Sequence, residues 1–399
     1  MISQGMKKAI IGGSMVRRMF EEGVKLKNAH GPSNVFDYSL GNPDLPPPTR
    51  FNQVTSDLLR DNEPGSHGYM NNAGWLDVRE KMAAYLTRTI GQGLTEPLDP
   101  GLVIMTVGAA GAMNIVLKAI LNPGNSVVVL APYFMEYNYY ISNHGGEVTV
   151  AQTDLFFRPD LNNLSSKVTD KTAALIINSP NNPTGVIYTS EELTTIGQIL
   201  SEASHKFGRP ILLIADEPYR KLAFNNKTVP SVFPAYPYSV VVNSFSKDLS
   251  LAGERIGYAA INPEMPEGSA LMEAMVLANR ILGFVNAPSL AQKVVVELLE
   301  ESVDLDIYHR RQELLIYELT RMGYDLVKPE GTFYLFPKSP LNDDLAFIDL
   351  LREQLILAVP GTGFGRPGYF RLSLCLSEEM IKASLTGFAK AISKVGRAC

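Results

Sequence analysis

Ser244-Phe245-Ser246-Lys247 is the stretch from which the rest of the sequence can be interpreted. It follows the apolar, β-branched run Val240-Val241-Val242, which predicts that Lys247 stands at the end of a buried strand. A lysine ammonium that leaves water must find an anion or lose its proton, and an uncharged lysine amine forms imines with carbonyl compounds. Arg255, eight residues further on, and the two serines indicate that the carbonyl compound carries a phosphate. A lysine with its charge in water is the commoner case, so Lys247 is informative only through its neighbours.

The composition is that of a globular protein with room for a large domain and a smaller one in its 399 residues. Thirty-six basic and 41 acidic residues give a net charge of −5 without a basic tail, so we expect no nucleic-acid partner. No apolar run approaches membrane-spanning length, and the N-terminus makes a poor signal peptide, so we expect a cytoplasmic protein with no membrane partner. Two cysteines without a CxxC motif and five scattered histidines lead us to expect no metal site.

From about residue 50, predicted strands alternate with predicted helices. This alternation is typical of an α/β fold with helices on both faces of a mostly parallel central sheet, in which ligands bind at the carboxyl ends of the strands. The predicted strands are 103–106, 126–130, 147–150, 173–177, 211–215 and 240–242, and the predicted helices are 75–90, 109–121, 137–143 and 191–207.

The two ends of the chain have a different pattern. Residues 14–27 predict an amphipathic helix, 36–40 a short strand and 41–48 an extended crossing segment. The pattern after Pro288 predicts a separate, smaller α+β unit. Its predicted elements are a long helix over 289–322, strands at 324–327 and 332–336, a helix at 345–355, and strands at 356–359 and 369–374. We therefore expect an N-terminal arm that is part of the small domain (1–48), a large domain (49–287) and a small C-terminal domain (288–399).

The segments that follow the predicted strands carry complementary chemical groups. Gly108-Ala109-Ala110-Gly111 opens a helix whose free amides suit a phosphate. The other strand ends provide an aromatic ring, amides, a carboxylate and a phenol, in Pro132-Tyr133-Phe134, Asn178-Ser179-Pro180-Asn181-Asn182-Pro183-Thr184-Gly185 and Asp216-Glu217-Pro218-Tyr219.

Over nearly its whole length the chain resembles the class I/II aminotransferases of pyridoxal-phosphate fold type I. The most specific matches are Asn-Asn-Pro-Thr-Gly at 181–185, Asp-Glu-Pro-Tyr at 216–219, and Ser-Phe-Ser-Lys at 244–247 with its following arginine. The resemblance extends from Ser39 to Ser373. It implies an α/β fold with a smaller α+β domain, and pyridoxal 5'-phosphate (PLP) as the cofactor bound by the large domain.

The resemblance also implies individual roles around the cofactor. Lys247 matches the residue that carries the cofactor and then, as a free amine, moves the α-proton of the substrate. Asp216 matches the carboxylate that pairs with the pyridine nitrogen, and Phe134 the ring that stacks on the cofactor. Tyr219 and Asn182 match the donors to the phenolate oxygen. The residues implied to bind the phosphate are Gly108, Ala109, Ala110, Ser244 and Arg255.

Three further residues match positions that contact the substrate or the second subunit, and a fourth lies close to such a position. Tyr69 resembles the tyrosine that reaches the cofactor phosphate of the other subunit, which implies a homodimer with shared active sites. Arg371 resembles the arginine that binds the substrate α-carboxylate, and Gly41 the small residue that lets a mobile arm close. Arg280 is our candidate for selecting a dicarboxylate. It lies one position from the family's arginine, and a solvated helix residue is an equally good interpretation.

Each of these residues also has an ordinary structural interpretation. Asp216 could cap a helix, Tyr219 and Phe134 could be core aromatics, Arg371 could be a surface residue, and 108–111 could be a plain turn. Their shared position just past strand ends favours a single site. Gly361-Thr362-Gly363-Phe364-Gly365 fails as a dinucleotide motif because a strand, not a helix, is predicted after it, so we expect a loop that leads to Arg371.

The sequence therefore predicts an aminotransferase that moves an amino group from an amino acid to a 2-oxo acid in two half-reactions. Aspartate with 2-oxoglutarate is the first expectation for the pair. Another fold-type I enzyme, such as a carbon-sulfur lyase or a decarboxylase, is the alternative, and Arg371 favours transfer. A non-catalytic regulatory protein of this fold would usually carry a DNA-binding domain, for which we expect no room, and Lys247 and Asp216 are both present.

Overall fold

Most strands of the central sheet are short, rich in β-branched residues and buried on both faces. Every residue of the strands Ser126–Ala131 and Thr172–Asn178 is buried, as expected for a sheet covered by helices on each side. The computed structural model describes residues 1–11, 15–61 and 64–398. The strands are β1 (Phe36–Asp37), β2 (Val103–Thr106), β3 (Ser126–Ala131), β4 (Glu147–Gln152), β5 (Thr172–Asn178), β6 (Leu212–Asp216), β7 (Ser239–Ser244), β8 (Gly257–Ile261), β9 (Tyr334–Leu335), β10 (Ile356–Leu357), β11 (Val359–Pro360) and β12 (Phe370–Ser373).

Seven of these strands form the central sheet, in the order β2-β8-β7-β6-β5-β3-β4. The pairs from β4 to β7 are parallel, and β8 is antiparallel to both of its neighbours. The predicted mostly parallel sheet is confirmed, although β8 was not predicted. Asn178 pairs with Asp216, and Asp216 pairs with Val242, so the carboxyl ends of β5, β6 and β7 lie side by side.

Some of the helices cover the two faces of this sheet, and others belong to the C-terminal unit. They are α1 (Gln4–Ile11), α2 (Met15–His30), α3 (Arg50–Asp61), α4 (Leu76–Thr89), α5 (Gly108–Ile120), α6 (Glu136–Asn143), α7 (Leu161–Lys167), α8 (Ser190–Phe207), α9 (Gly268–Ile281), α10 (Ser289–Val296), α11 (Leu305–Arg321), α12 (Asp344–Arg352) and α13 (Glu378–Ala398). The four helices predicted between residues 75 and 207 are confirmed to within one residue at each end. The predicted start of the first amphipathic helix, at Ser14, lies outside the described residues.

Sequence signals at its two ends explain the bounds of α8. The Thr189 hydroxyl accepts from the Glu192 amide and the Glu192 carboxylate accepts from the Thr189 amide, which is a capping box. Gly208 ends the helix in the left-handed conformation, at φ 67°.

The predicted long helix over 289–322 is wrong. Residues 297–304 separate α10 from α11. In a continuous helix the Val303 amide would donate to Leu299. Instead it donates to the Asp248 carbonyl, at 2.7 Å, and the Leu299 carbonyl accepts from Lys221, at 2.6 Å. Tertiary hydrogen bonds therefore replace the helical ones at this break.

The predicted strand at 324–327 is also wrong. Its residues pair with no strand in the described part of the chain, and the Tyr324 hydroxyl donates to the Phe388 carbonyl of α13. The strand predicted at 36–40 is reduced to β1, which pairs in parallel with β10. The predicted loop at 361–365 contains one turn of 3₁₀ helix, Gly361–Phe364, before the chain enters β12.

Three apolar clusters hold these layers together. Two lie on the two faces of the central sheet, and the third joins α11, α12 and α13 to the small strands. Val294 and Val295 of α10 belong to the first cluster, whereas Tyr308 of α11 belongs to the third. This packing favours a boundary after α10 over the expected one at residue 288, and the division into domains stays a prediction.

Within the described ranges, 1–11, 15–61 and 64–398, no helix is both long enough and apolar enough to cross a membrane.

Candidate active site

A cavity of about 320 Å³ lies at the carboxyl ends of β5, β6 and β7, against the small strands of the C-terminal unit. Its walls combine three cations, one carboxylate, amides and aromatic rings. They are formed by Gly41, Ala109, Ala110, Met113, Phe134, Tyr137, Tyr140, Asn178, Asn182, Asp216, Pro218, Tyr219, Ser244, Ser246, Lys247, Ala252, Arg255, Tyr334 and Arg371.

Lys247 lies in this cavity with its amine among rings and backbone. Its Nζ donates to the Gly41 carbonyl at 2.7 Å and lies 5.7 Å from the centre of the Phe333 ring. Burial lowers the pKa of Lys247 from 10.5 to about 8, and the nearby charges of Arg371 and Arg255 act in the same direction. A much larger fraction of this amine is therefore uncharged near neutral pH than for a lysine in water.

Asp216 is the last residue of β6 and the carboxylate of the cavity. Its Oδ2 accepts from the Tyr137 hydroxyl at 2.5 Å, while its Oδ1 is buried without a hydrogen-bond partner. Burial raises the pKa of Asp216 from 3.8 to about 7. The unpartnered oxygen is thus an acceptor that suits a positively charged N–H donor.

Two asparagines connect Asp216 to Arg371. Asn178 donates to the Asp216 carbonyl at 2.7 Å and accepts from the Asn182 amide at 2.6 Å. The Asn182 side-chain oxygen accepts from Arg371 Nη1 at 3.0 Å, and Arg371 Nη2 donates to the Ser39 carbonyl at 2.7 Å. These bonds fix the two ends of the site relative to each other.

Arg371 is a buried guanidinium that no carboxylate in the described residues pairs with. It lies over the rings of Tyr334, at 4.4 Å, and Phe364, at 4.9 Å, and its Nε has no hydrogen-bond partner. A buried cation with donor capacity left over is the kind of group that binds a carboxylate.

At the other end of the cavity, the first turn of α5 faces Arg255. Gly108 has a φ of +67°, which favours glycine, and a Cβ added to it would lie 2.9 Å from Arg255 Nη2 and displace the guanidinium. Ala109 and Ala110 follow at the start of the helix, where backbone amides have no helical acceptor. Together with the Ser244 hydroxyl these groups suit a phosphate.

Two tyrosines close the site beside Gly41. The Tyr219 and Tyr334 hydroxyls are 3.2 Å apart, and a Cβ added to Gly41 would lie 1.7 Å from the Tyr334 hydroxyl. Any side chain at position 41 would therefore overlap the Tyr334 hydroxyl.

The structure thus places almost every predicted site residue around one cavity. Gly108 is not in its wall but contacts Arg255. Tyr69, which is 95% exposed, and Arg280, exposed at the end of α9, lie outside it. Within the described ranges, no group of three or more His, Cys, Asp or Glu side chains could hold a metal ion.

Several residues that line the cavity were not predicted from the sequence. Asn178 and Ser246 lie within the quoted motifs, so their position beside predicted site residues was a usable signal. Tyr137, in the first turn of α6, lies three residues after Phe134. Nothing in the sequence indicates that its hydroxyl reaches Asp216. Tyr334 comes from a strand of the C-terminal unit, and its position depends on packing between distant parts of the chain.

The fold and the cavity are those of a known class of enzyme. The profile of the family "Aminotransferase class I and II" matches residues 33–388, and the chain belongs to this family. It is an aminotransferase, an enzyme that moves an amino group from an amino acid to a 2-oxo acid.

The relatives and solved structures support this class. The chain is 31% identical to the "Probable aspartate/prephenate aminotransferase" of Aquifex aeolicus, over 91% of this chain and 92% of the relative. It resembles the crystal structure of an aminotransferase from Eubacterium rectale, with a TM-score of 0.94, 36% identity and 99% coverage of both chains. It also resembles the aspartate aminotransferase of Thermus thermophilus with maleate, with a TM-score of 0.83, 28% identity and coverage of 95% of this chain and 97% of that one.

Proposed function

We propose that this aminotransferase uses PLP and that it transfers the amino group of aspartate to 2-oxoglutarate. The cofactor proposal rests on the presence of two groups, Lys247 and Asp216, in the same cavity. Lys247 has a lowered pKa, and Asp216 has a buried oxygen that lacks a partner. An amine that is easily deprotonated and an acceptor for a cationic N–H are the two groups that the carbonyl and the pyridine nitrogen of PLP require.

The described residues fit the rest of the cofactor as well. Asp216 would hold the pyridine nitrogen, Phe134 would stack on the ring, and Tyr219 and Asn182 would donate to the phenolate oxygen. The phosphate would be bound by the first turn of α5 with its neighbours, namely Gly108, Ala109, Ala110, Ser244 and Arg255. When bound, PLP supplies an electron sink for the pair of electrons left at the substrate Cα.

Lys247 would act as the base. The breaking Cα–H bond of the substrate gives its proton to Nζ, which must be uncharged to accept it. A pKa of about 8 makes this form available near neutral pH and still lets the amine return the proton. The Gly41 carbonyl, which accepts from Nζ, holds the amine at the edge of the cavity.

Arg371 would bind the substrate α-carboxylate. It is buried, always charged and already fixed by Asn182 and Ser39, so it can form a bidentate pair with little loss of side-chain freedom. Since Arg371 and Lys247 line the same cavity, a substrate bound at Arg371 would have its Cα–H bond on the side of the cavity that Lys247 shares.

A distal carboxylate needs a further cation. Of the described residues, those lining the cavity carry three cations, Lys247, Arg255 and Arg371, and each is assigned above. We propose that Arg280 of the partner subunit supplies the fourth. Two observations support this proposal: the Aquifex aeolicus relative is named an aspartate/prephenate aminotransferase, and the Thermus thermophilus structure contains maleate, a dicarboxylate.

The proposal therefore includes a homodimer with shared active sites. Tyr69 and Arg280 are exposed in the single chain, and the segments that carry them touch, because the Asn279 side chain donates to the Asn72 carbonyl. Leu277 and Ile281, on the same helix as Arg280, are exposed too. We place Tyr69 at the cofactor phosphate of the second subunit. A single-chain mass in sedimentation of the active enzyme would contradict this. We also propose a cytoplasmic location, supported by the small number of cysteines and the absence of a CxxC motif.

A transamination assay tests the substrate proposal. With 2-oxoglutarate as acceptor, we expect aspartate to be turned over faster than alanine. The Arg280→Ala variant should lose about 10- to 100-fold in kcat/KM for aspartate, because the proposed partner of the distal carboxylate is lost, and change little for alanine. Equal losses for the two donors would contradict the role of Arg280. Release of carbon dioxide or of a sulfur group, with no transfer, would favour the decarboxylase or lyase alternative.

A further inference from the structure

A second, smaller cavity lies directly behind the active site. It measures about 180 Å³, and Pro218 and Ser244 line both cavities. Its walls also contain the side chains of Lys221 and Asp248. Asp248 is the residue that follows Lys247, so this charged space touches the loop that carries the reactive amine.

Lys221 makes four contacts in this region. Its Nζ donates to the carbonyls of Leu299, at 2.6 Å, and Glu301, at 2.9 Å. It also lies 3.5 Å from Asp248 Oδ2 and 5.5 Å from the centre of the Tyr85 ring. One ammonium thus joins the lysine loop (residues 247–251) to the connecting segment (residues 297–304).

The same two segments are joined a second time through their backbones. The Asp248 carbonyl accepts from the Val303 amide at 2.7 Å and from the Ser302 hydroxyl at 3.3 Å. The connecting segment is also where the chain passes from α10, packed on the central sheet, to α11 in the C-terminal cluster. Its position therefore depends on how the C-terminal unit sits on the sheet.

The lysine loop also contacts residues 41–48, the second segment that leads into the C-terminal cluster. The Ser250 hydroxyl donates to the Leu45 carbonyl at 2.6 Å, and Lys247 donates to the Gly41 carbonyl. The loop is therefore held between two segments that move if the C-terminal unit moves.

We propose that Lys221 is a positioning residue for Lys247, because it fastens the lysine loop to the connecting segment. This inference rests on the proposed function of Lys247 as the base. Burial raises the pKa of Asp248, and Lys221 and the Leu249 amide, which donates to Oδ1 at 3.0 Å, act in the opposite direction, so Lys221 is one of the groups that favour the charged carboxylate. Loss of Lys221 would remove the charged link between Asp248 and the connecting segment at the step where Nζ must reach the substrate Cα–H.

Lys221→Met in the PLP-loaded enzyme tests the proposal. We expect kcat to fall by about 10- to 100-fold with KM nearly unchanged, because small misplacement of a catalytic group costs this much. We also expect a larger isotope effect on kcat with a donor deuterated at Cα, because proton transfer to a misplaced amine becomes slower than the other steps. A lower melting temperature with wild-type kcat and isotope effect would overturn the proposal, because it would show a purely structural role.

A matched control and a second variant keep the test decisive. Lys81→Met removes a lysine that donates to Glu297 at 2.6 Å, at the start of the connecting segment but away from the lysine loop, and should leave both kinetic quantities unchanged. If Lys221→Met does not fold because Asp248 is left unpaired, the double variant Lys221→Met/Asp248→Asn removes both charges. It should still show the lower kcat and the larger isotope effect, and wild-type values for both would overturn the proposal.

Amide hydrogen exchange tests the positioning role of Lys221 independently of whether the protein transaminates. In the PLP-loaded protein, Lys221→Met should increase exchange in residues 247–251 and 297–304, and Lys81→Met should not increase it in 247–251. If the wild-type protein fails to transaminate, the proposed function falls, and the exchange of 247–251 then decides on Lys221. Unchanged exchange there would overturn the positioning role.

Discussion

Asp216 and Lys247 are two ionisable residues whose pKa values burial moves towards each other. The pKa of the carboxyl rises to about 7, and that of the amine falls to about 8. Both groups can therefore change their charge near neutral pH. The same desolvation that makes them reactive makes their charged forms costly in the folded protein.

This cost predicts a stability effect of Asp216 in the cofactor-free protein. The carboxyl has a pKa of 3.8 when unfolded and about 7 when folded, so its destabilising effect is absent below pH 3.8, grows as the pH rises and is complete above pH 7. Asp216→Asn should therefore raise the free energy of unfolding by up to about 4 kcal/mol at pH 8, and by less than half as much at pH 5.

Chemical denaturation of both proteins at the two pH values measures this difference. Since PLP would supply the missing partner of Oδ1, the same substitution should weaken cofactor binding. A gain in stability that does not depend on pH would show that Asp216 is not a buried ionised carboxylate.

At the residue scale, the sequence predicted the groups that follow strand ends. Lys247, Asp216 and Asn182 could be found because the carboxyl ends of neighbouring parallel strands meet at one edge of a sheet. Tyr137 and Tyr334 could not be found, because no local pattern indicates the distance between their hydroxyls and Asp216 or Gly41. Lys221 follows the Asp-Glu-Pro-Tyr motif by two positions, yet its acceptors lie about 80 residues away in the chain.

At the scale of elements, the strand-helix alternation predicted six of the seven strands of the central sheet, because buried strands and amphipathic helices carry local signals. The predicted long helix over 289–322 was wrong because the hydrogen bonds that interrupt it come from residues distant in sequence. Its residues keep a helical pattern across the break, and those hydrogen bonds come from Lys221 and Asp248. The antiparallel strand β8 was missed because its Gly-Tyr-Ala-Ala-Ile sequence has little β-branched character.

The segment that contains Gly41 gives a prediction at this scale. Gly41→Ala places a methyl group where the Tyr334 hydroxyl lies, so either the ring or the 41–48 segment must move. We expect kcat/KM to fall by about 10- to 100-fold, since Gly41 also holds Lys247 and Tyr334 lies against Arg371. Steady-state kinetics measures this change.

Gly253→Ala is the matched control, because an added Cβ there meets nothing within 4 Å. It should behave like the wild type. If Gly41→Ala were as active as Gly253→Ala, the close approach of Gly41 to Tyr334 would have no part in catalysis.

At the scale of the whole molecule, the cavity connects parts of the chain with different packing. The central sheet and the segments that follow its strands provide Lys247, Asp216 and the first turn of α5, while Arg371 and Tyr334 come from the C-terminal unit. The family and the fold could be predicted from three short motifs in order, but the way in which the two units meet could not. That meeting depends on contacts such as Arg371 with Asn182, whose partners lie 189 residues apart.

An absorption spectrum of the purified protein tests the central claim most directly. Supplied with PLP, the wild-type protein should show a visible band from bound cofactor, and certain amino acids, added without a 2-oxo acid, should convert it to the aminated form. Lys247→Ala should bind PLP more weakly and fail to make this conversion. A wild-type protein that stays colourless with PLP present would contradict the assignment of Lys247, and with it the account of the site.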